Sequence, residues 1–434
     1  MSLRHTARVS AMLLSTRAFL GGWALAGDPT SQVFTMRPGT DPYLLYERVR
    51  SRGRLHQSKL GMRATASYQV TDSVLRDQRF GVAARVEQIQ LDRVLRLAMG
   101  EHPVHPIDDS FLSLDPPKHT RLRRTVAPWF TPRALRDRAE PTERLVEKFL
   151  DELSGREHWD LIGDFAVRVP IKVICDLFDI PSIDYERFSR WGAVLGSALD
   201  GVRTIAELKR LRATLVEMEA FFDELIERRR REPGDDIVSA VVHANPDDLP
   251  IAREDVIATC QLLLVAGFET TVNLIGNASM ALMANPEARR VFIQRPELAP
   301  NLIEEVLRYD PPVQFTVRMA NEPITLEGVD LPRNAVVALM LAGANRDPDV
   351  FPEPHRLDLF RDNSKEHLSF SAGIHYCLGA GLAKIEGVAA VRALFTKYPD
   401  LGLAGPVVRR TSRNIRGALH LPVRATVSRR VISV

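Results

Sequence analysis

Apolar residues recur at helical spacing along most of this chain, most clearly over residues 205–231 and 252–285. Pro and Gly interrupt these stretches and mark their ends. Runs of β type are short and few: residues 68–71 and 336–341 predict strands, and residues 417–427 predict a C-terminal hairpin. The pattern therefore predicts a mainly α protein with small β elements, an α+β chain.

The N-terminal segment combines basic and apolar residues. Arg4, His5 and Arg8 precede an apolar stretch over 11–26, which Arg17 interrupts. Three structures fit this pattern: a signal peptide, an interfacial amphipathic helix, and a helix packed on the body of the protein. We favour the packed helix. No run approaches the about 20 apolar residues that span a bilayer, so we expect no transmembrane anchor.

Composition excludes several classes of protein. The 434 residues are 45% hydrophobic and 26% charged, which is typical of a globular chain that can enclose a cofactor. The net charge of +3 is nearly balanced, and no basic run is interleaved with aromatic residues, so we expect no nucleic-acid partner. Cys175, Cys260 and Cys377 are odd in number and widely spaced, which predicts neither a disulfide framework nor a zinc site. A reducing, cytoplasmic location fits this cysteine usage best.

Cys377 has the most informative surroundings in the sequence. Gly373 precedes it by four residues, Gly379 follows it by two, and a helical run begins after it. At a helix N-terminus, unpaired backbone N–H groups and the helix dipole favour a thiolate. The two glycines remove side chains where a flat cofactor must lie against the backbone, and Phe370 supplies an apolar wall. The segment predicts a thiolate ligand for haem iron, although a buried structural cysteine is the usual alternative.

A second informative segment is the apolar helix around residues 261–271, which contains Ala266, Gly267, Glu269 and Thr270. A carboxylate in such a helix is costly unless it is hydrogen-bonded or hydrated, and Gly in mid-helix costs about 1 kcal/mol relative to Ala. The missing side chain of Gly267 predicts space for a small ligand, and Thr270 can turn its hydroxyl toward a helix carbonyl. The alternative is a Glu on a solvated face, with Thr270 capping a kink.

Two further pairs of polar residues have helical spacing. Glu305 and Arg308 are three residues apart, within ion-pair reach on one face, although such pairs are common on exposed helices. His119 and Arg123 are one turn apart, and Pro128 is expected to end or kink their helix.

Residues 370–379 read Phe-x-x-Gly-x-His-x-Cys-x-Gly, and Leu382-Ala383 follow. This segment resembles the haem-ligand signature of the cytochrome P-450 family, except that Ser371 stands where many bacterial members have Gly. The resemblance extends over about 41–427 and implies a helical prism with small β-sheets and buried haem b (iron protoporphyrin IX). Since motifs from 119 to 377 must share one site, we expect an N-terminal extension over 1–40 and a single haem-thiolate domain over 41–434.

The resemblance also implies roles in oxygen chemistry. Ala-Gly-x-Glu-Thr over 266–270 is similar to the family's oxygen-activation motif. Thr270 would hydrogen-bond to dioxygen bound at the haem, and Glu269 would relay protons from solvent. A thiolate ligand pushes electron density onto iron and so favours oxygen activation over reversible oxygen storage.

Other residues are implied to hold the cofactor and its loop. Haem propionates need cationic or hydrogen-bonding partners when buried. By resemblance, four residues would serve: His119, Arg123, Arg318 and His375. Glu305 and Arg308, completed by Arg356, would form a buried charged network that fixes the loop carrying Cys377.

The expected activity is that of a soluble bacterial-type haem-thiolate monooxygenase, acting as a monomer. It would insert one oxygen atom of O2 into a C–H bond and release the other as water. No dinucleotide fingerprint stands between a strand and a helix, and no flavin or iron–sulfur module is expected after the haem domain. A ferredoxin and a ferredoxin reductase are therefore implied as partners, and Arg121 and Arg124 are candidates for an exposed basic patch that docks an acidic redox partner.

Two other functions remain open at this point. A non-catalytic haem-binding gas or redox sensor would have no need of Glu269 and Thr270, and a peroxide-driven peroxygenase or isomerase usually lacks this acid–alcohol pair. By family analogy five segments would line the substrate pocket: residues 80–113, the region of Ile205, residues 265–266, residues 314–317 and the turn near residue 414. These residues are mostly apolar, so we expect a lipophilic substrate such as a polyketide macrolactone, fatty acid, terpenoid or steroid.

Overall fold

The computed structural model describes residues 3–37, 40–82, 103–181 and 183–425, with the backbone alone at residues 3–8 and 248. Helices dominate this part of the chain, so the predicted mainly α (α+β) fold class is confirmed. The α-helices, in chain order, are α1 (Leu3–Leu25), α2 (Pro29–Thr35), α3 (Tyr43–Arg50), α4 (Tyr68–Arg76), α5 (Lys118–Val126), α6 (Pro132–Glu152), α7 (Arg168–Leu177), α8 (Tyr185–Ala198), α9 (Ile205–Arg231), α10 (Ile237–Val242), α11 (Arg253–Ala284), α12 (Pro286–Gln294), α13 (Ala299–Tyr309), α14 (Leu341–Ala344) and α15 (Ala380–Lys397).

The strands are short and form small sheets. In chain order they are β1 (His56–Gln57), β2 (Arg63–Thr65), β3 (Phe80–Gly81), β4 (His158–Asp160), β5 (Thr316–Ala320), β6 (Ile324–Leu326), β7 (Val329–Leu331), β8 (Val336–Leu339), β9 (Gly402–Leu403), β10 (Val408–Arg409), β11 (Ala418–His420) and β12 (Pro422–Arg424). The largest sheet has the order β1-β2-β8-β5-β3, and within it β2 and β8 are parallel. Smaller sheets have the orders β4-β12-β9, β10-β11 and β6-β7.

The three strand predictions have different outcomes. The strand predicted over 336–341 is confirmed as β8, which ends at Leu339. The strand predicted over 68–71 is wrong, because this segment begins α4, whose face with Val70, Val74 and Leu75 is buried. The hairpin predicted over 417–427 is also wrong within its described part, since β11 pairs with β10 whereas β12 pairs with β4 and β9. Residues 426 and 427 lie outside the described residues.

The two long helices expected from periodicity are present as α9 and α11. Helix α11 runs through the interior, where nearly every residue from 255 to 265 and from 271 to 279 is buried. It packs against α7, α8, α13 and α15. This central position brings the 266–270 motif into the middle of the protein. Helix α5 ends at Val126, and Pro128 lies in the 3-10 turn that follows, as predicted.

The N-terminal helix α1 packs on the body, which is the arrangement favoured from the sequence. Val9 and Leu13 are buried against Leu208 of α9. Within the described residues, one helix, α11, has the length and apolar character needed to cross a membrane. Its most apolar window is 83% buried inside the protein, as in the core helix of a globular fold.

Candidate active site

Cys377 lies between a 3-10 turn over Gly373–His375 and the start of α15. Its backbone N–H donates to the Phe370 carbonyl oxygen at 2.9 Å. The side chain is exposed, yet protein surrounds it so closely that burial raises the pKa of its thiol. A sulfur that is accessible and yet surrounded by protein lies on the wall of an internal cleft. The Gly379 backbone N–H and Arg123 lower the pKa and so favour the thiolate, as expected at a helix N-terminus.

The two glycines that flank Cys377 have different functions in the fold. Gly373 has φ +66°, and a Cβ atom there would lie 2.3 Å from the Leu75 carbonyl oxygen of α4. This glycine is required by the backbone, so the prediction that it makes room for a flat cofactor is wrong. A Cβ at Gly379 would have no described atom within 4 Å. Gly379 therefore fits the predicted open backbone beside the cleft.

Ser371 and Phe370 begin the loop that leads to the cysteine. Ser371 has φ +62°, so the turn for which many relatives use Gly is kept, although a residue with a Cβ atom disfavours this conformation. Its hydroxyl oxygen accepts a hydrogen bond from Arg318 Nη2 at 3.3 Å. The half-buried Phe370 ring packs edge-on against Tyr376 and also contacts the His367 ring. Ser371 thus ties the loop to β5, which carries Arg318.

The four residues expected to hold the propionates are close together. The rings of His119 and His375 lie 4.4 Å apart between centroids, and Arg123 Nη2 donates to the Tyr376 carbonyl oxygen at 2.5 Å. Burial, reinforced by Arg318, His119 and Arg123, lowers the pKa of His375 to about 3. Both ring nitrogens of His119 and Nε2 of His375 are buried without a hydrogen-bond partner among the described residues. Unsatisfied imidazoles beside two guanidinium groups suit the acidic groups of a haem.

Helix α11 exposes a small patch in its otherwise buried central region. Ala266 is exposed and Thr270 is half-buried, although the residues on both sides are buried. The Thr270 hydroxyl donates to the Ala266 carbonyl oxygen at 3.2 Å, as predicted. A Cβ at Gly267 would lie 3.0 Å from Ile174 Cδ1. Gly267 therefore allows α7 to pack closely, and the prediction that it opens space for a small ligand is wrong; Ala266 occupies the open position.

Glu269 is buried and paired with a residue that the sequence did not suggest. Its Oε1 lies 2.5 Å from Arg410 Nη1, and Arg410 Nε donates to Asn273 Oδ1 at 2.8 Å. Burial raises the pKa of Glu269, and the Arg410 charge lowers it by less. The carboxylate also lies against α8, because a Cβ at Gly192 would be 2.9 Å from Glu269 Oε2. The alternative of a Glu on a solvated helix face is therefore wrong.

Glu305 and Arg308 form the ion pair expected from their spacing, and the pair is buried, as the resemblance implied. Both side chains are fully buried, and Arg308 Nε and Nη2 each donate to one Glu305 oxygen at 2.8 Å. The prediction that the Arg356 side chain completes this network is wrong. That side chain is exposed beside Glu353, whereas the Arg356 carbonyl oxygen accepts a bond from Arg308 Nη2 at 3.1 Å. The second cation on Glu305 is Arg361, whose Nε lies 3.2 Å from Oε1.

The expected basic patch on α5 is partly used inside the protein. Arg121 is half-buried, and its Nη2 donates to the carbonyl oxygens of Leu249 and Pro250. Arg124 is exposed and pairs with Asp247 at 3.2 Å. These contacts leave less free positive charge on α5 than the sequence suggested.

The known proteins that this chain resembles identify its family. A family model described as cytochrome P-450 matches residues 204–398. The 6-deoxyerythronolide B hydroxylase of Saccharopolyspora erythraea is 40% identical over 314 residues, which cover 71% of this chain and 76% of that protein. The cytochrome P-450 monooxygenase PikC of Streptomyces venezuelae is 35% identical over 397 residues, with coverages of 88% and 91%. The crystal structure of myxobacterial cytochrome P-450 CYP267B1 in complex with myristic acid matches with a TM-score of 0.81 at 32% identity, covering 92% of this chain and 98% of that one.

The chain therefore belongs to the cytochrome P-450 family and has its fold. It is a P-450 monooxygenase, and proteins of this family bind haem (iron protoporphyrin IX) through a cysteine thiolate.

Two residues of the site were missed by sequence reasoning. Arg361 and Arg410 each neutralise a buried carboxylate, but neither lies near that carboxylate in the sequence. Short motifs identify residues that act together within one element, whereas ion pairs between distant segments leave no spacing signal. Only the packing of these segments places the two arginines at the site.

Proposed function

We propose that this monooxygenase inserts one atom of O2 into a C–H bond of a lipophilic substrate and releases the other as water, with Cys377 as the iron ligand. The observation that carries the proposal is the position of the Cys377 sulfur on an internal cleft, beside a group of buried, unsatisfied imidazoles. Haem bound there supplies oxygen activation at an iron–thiolate centre. The residues of the chain bind and orient it and control protons.

The acid groups of the haem would be bound by four residues: His119, Arg123, Arg318 and His375. Burial and the neighbouring guanidinium groups lower the pKa of His375, which favours an imidazole that offers an N–H to an acid group. The two arginines supply the positive charge. Gly379 and Ala266 leave room on the two walls of the cleft.

Thr270 and Glu269 would deliver protons to the cleft. The Thr270 hydroxyl is held by the Ala266 carbonyl oxygen, so its own lone pairs remain available toward the cleft. Burial raises the pKa of Glu269, which therefore carries a proton nearer neutral pH than an exposed carboxyl would. The protonated Glu269 side chain must turn away from Arg410 to deliver that proton beside Thr270.

A lipophilic substrate is supported by the relatives and by the mostly apolar residues at the positions expected to line the pocket. One relative is named for hydroxylation of 6-deoxyerythronolide B, and one similar structure holds myristic acid. Macrolactones, fatty acids, terpenoids and steroids remain the candidate classes. Most of the predicted pocket segment over 80–113 lies outside the described residues.

Electrons are proposed to come from a ferredoxin and its reductase. Arg124 is exposed, so it stays a candidate for docking an acidic partner on α5, although it would have to give up its pairing with Asp247. The sensor and peroxygenase functions are disfavoured because neither needs the acid–alcohol pair of α11.

The first test measures the Soret spectrum of the ferric holoenzyme during titration with fatty acids, steroids, terpenoids and macrolides. We expect a saturable low-spin to high-spin shift with one class. Cys377→Ser is expected to abolish the red-shifted Soret band of the reduced carbonyl complex, whereas Cys175→Ala is expected to retain it. A band that persists in Cys377→Ser would refute the ligand assignment.

The second test uses two neighbouring threonines of α11. Thr270→Ala is expected to keep electron consumption but divert it to peroxide. Thr271→Ala is the matched control, because Thr271 makes the same kind of bond, to the Gly267 carbonyl oxygen, but is buried away from the open patch. Unchanged coupling of electrons to product in Thr270→Ala would contradict its assigned role.

A further inference from the structure

Five arginines line one cavity, which shares only Arg410 with the site described above. The cavity lies between the segment after α2 and the loop that joins β10 to β11; it is small, with a volume of about 20 Å³, and it opens in part to solvent. Its arginines are Arg37, Arg409, Arg410, Arg413 and Arg416. Gln314, which belongs to the expected substrate-pocket segment, also lines it. The cavity therefore lies next to one segment that is expected to line the substrate pocket.

Two of these arginines already have acidic partners. Arg410 pairs with Glu269, and Arg416 Nε lies 2.6 Å from Asp310 Oδ1. Another nearby carboxylate, that of Asp200, accepts the backbone N–H groups of residues 413 and 414, together with Arg203. These three acids thus already have partners within the protein.

The other three arginines have no acidic side-chain partner within the described part of the chain. Arg413 Nε donates to the Met36 carbonyl oxygen at 2.8 Å, and Arg37 is exposed. Arg409 is half-buried, and its Nη1 is buried without a hydrogen-bond partner. A buried cationic donor that lacks an acceptor is costly. Burial and repulsion from Arg416 lower the pKa of Arg409, and the attraction of Asp310 opposes them only in part. An anion in the cavity would satisfy the donor and offset the repulsion.

We propose that this cavity is a binding site for an oxyanion, either a carboxylate or a phosphate. Guanidinium groups match the planar oxygens of such groups and bind them by charge-assisted hydrogen bonds. The oxyanion has two possible sources. It is either a free anion or the acid group of the lipophilic substrate, and the second source rests on the proposed function. Since Arg410 also holds Glu269, an oxyanion here shares one guanidinium with the proposed proton relay.

The test is isothermal titration calorimetry of the holoenzyme in low-salt Tris chloride, with three probes: sodium phosphate, sodium decanoate and 1-decanol. Arg409→Gln and Arg37→Gln are the test variants, because neither breaks the salt bridge of Glu269 with Arg410 or that of Asp310 with Arg416. Arg333→Gln is the matched control, since Arg333 is exposed and lies outside the cavity. Circular dichroism and thermal melting verify that each variant folds, and Arg409→Lys tests whether charge alone restores binding.

We expect phosphate or decanoate to bind about 10- to 100-fold more weakly to the two test variants than to wild type, and equally well to Arg333→Gln. Phosphate binding with a stoichiometry of one identifies a free-anion site. Decanoate binding that exceeds decanol binding, with the excess lost in Arg409→Gln, identifies a substrate head group. Equal binding of every probe to wild type and to both test variants would overturn the proposal. That result would leave the proposed oxygenase function intact, because the Thr270 and Cys377 tests do not depend on this cavity.

Discussion

Gly373 gives the sharpest test of how the cysteine loop is built. Replacing it by Ala places a Cβ atom 2.3 Å from the Leu75 carbonyl oxygen and 3.2 Å from Arg76 Cα. Real Cβ contacts stay beyond 3.0 Å, so the loop or α4 must move, and both contacts are to backbone rather than to a flexible side chain. The left-handed φ of +66° adds a cost of about 1–2 kcal/mol, and the forced displacement adds about 1–3 kcal/mol. Gly373→Ala is therefore expected to lower the free energy of unfolding by about 2–5 kcal/mol.

Gly379→Ala is the matched control for this experiment. Gly379 has φ −85°, which Ala also adopts, and its new Cβ would meet no described atom within 4 Å. We expect the control to change the stability of the fold by less than about 0.5 kcal/mol. It is expected to reduce haem retention, because the methyl group enters the open side of the loop.

The assay combines thermal melting by circular dichroism with the haem-to-protein ratio of each purified variant. Gly373→Ala should lower the melting temperature, whereas Gly379→Ala should lower mainly the haem ratio. A Gly373→Ala protein with wild-type melting would refute the argument that the close approach of α4 requires this glycine.

Three further outcomes are expected. Arg361→Gln should lower the free energy of unfolding by about 2–3 kcal/mol, because it removes one cation from the buried Glu305 carboxylate. Arg356→Gln should change it by less than about 0.5 kcal/mol, because that side chain is exposed. If urea denaturation gave similar losses for both variants, the assignment of Arg361 to the Glu305–Arg308 network would be contradicted. Burial raises the pKa of Asp200 to about 6, so the stability that its protonation contributes is present below about pH 4 and is lost as the pH rises through 6. Relative to Asp200→Asn, the wild-type free energy of unfolding should fall by about 3 kcal/mol across that window, and equal slopes in urea denaturation would argue against this shift. The Arg410 charge lowers the pKa of Glu269, so Arg410→Gln should raise that pKa and shift the alkaline limb of the turnover pH profile to higher pH. A limb that stays at the wild-type pH would exclude Glu269 as the titrating group.

Predictions from the sequence succeeded where one element carries the whole signal. The spacing of Glu305 and Arg308 predicted a shared helix face, and Thr270 bonds back to its own helix as expected. Predictions from the sequence failed where contact with a second segment of the chain determines what a residue does. Gly267 was assigned to a ligand, but its missing side chain accommodates Ile174 of α7 instead. Residues 68–71 have a strand-like composition, but burial of one face in the fold makes them helical.

The family, the mainly α architecture and the cysteine loop can be read from the chain alone, because they depend on residues that lie close together in it. The charges that meet inside the protein are set by its folding. Arg361 replaces the expected side chain of Arg356, and Arg410 reaches Glu269 from the loop that joins β10 to β11. A buried carboxylate requires a cation, but it does not specify the part of the chain from which that cation comes. That choice depends on how the separate segments pack around the cleft.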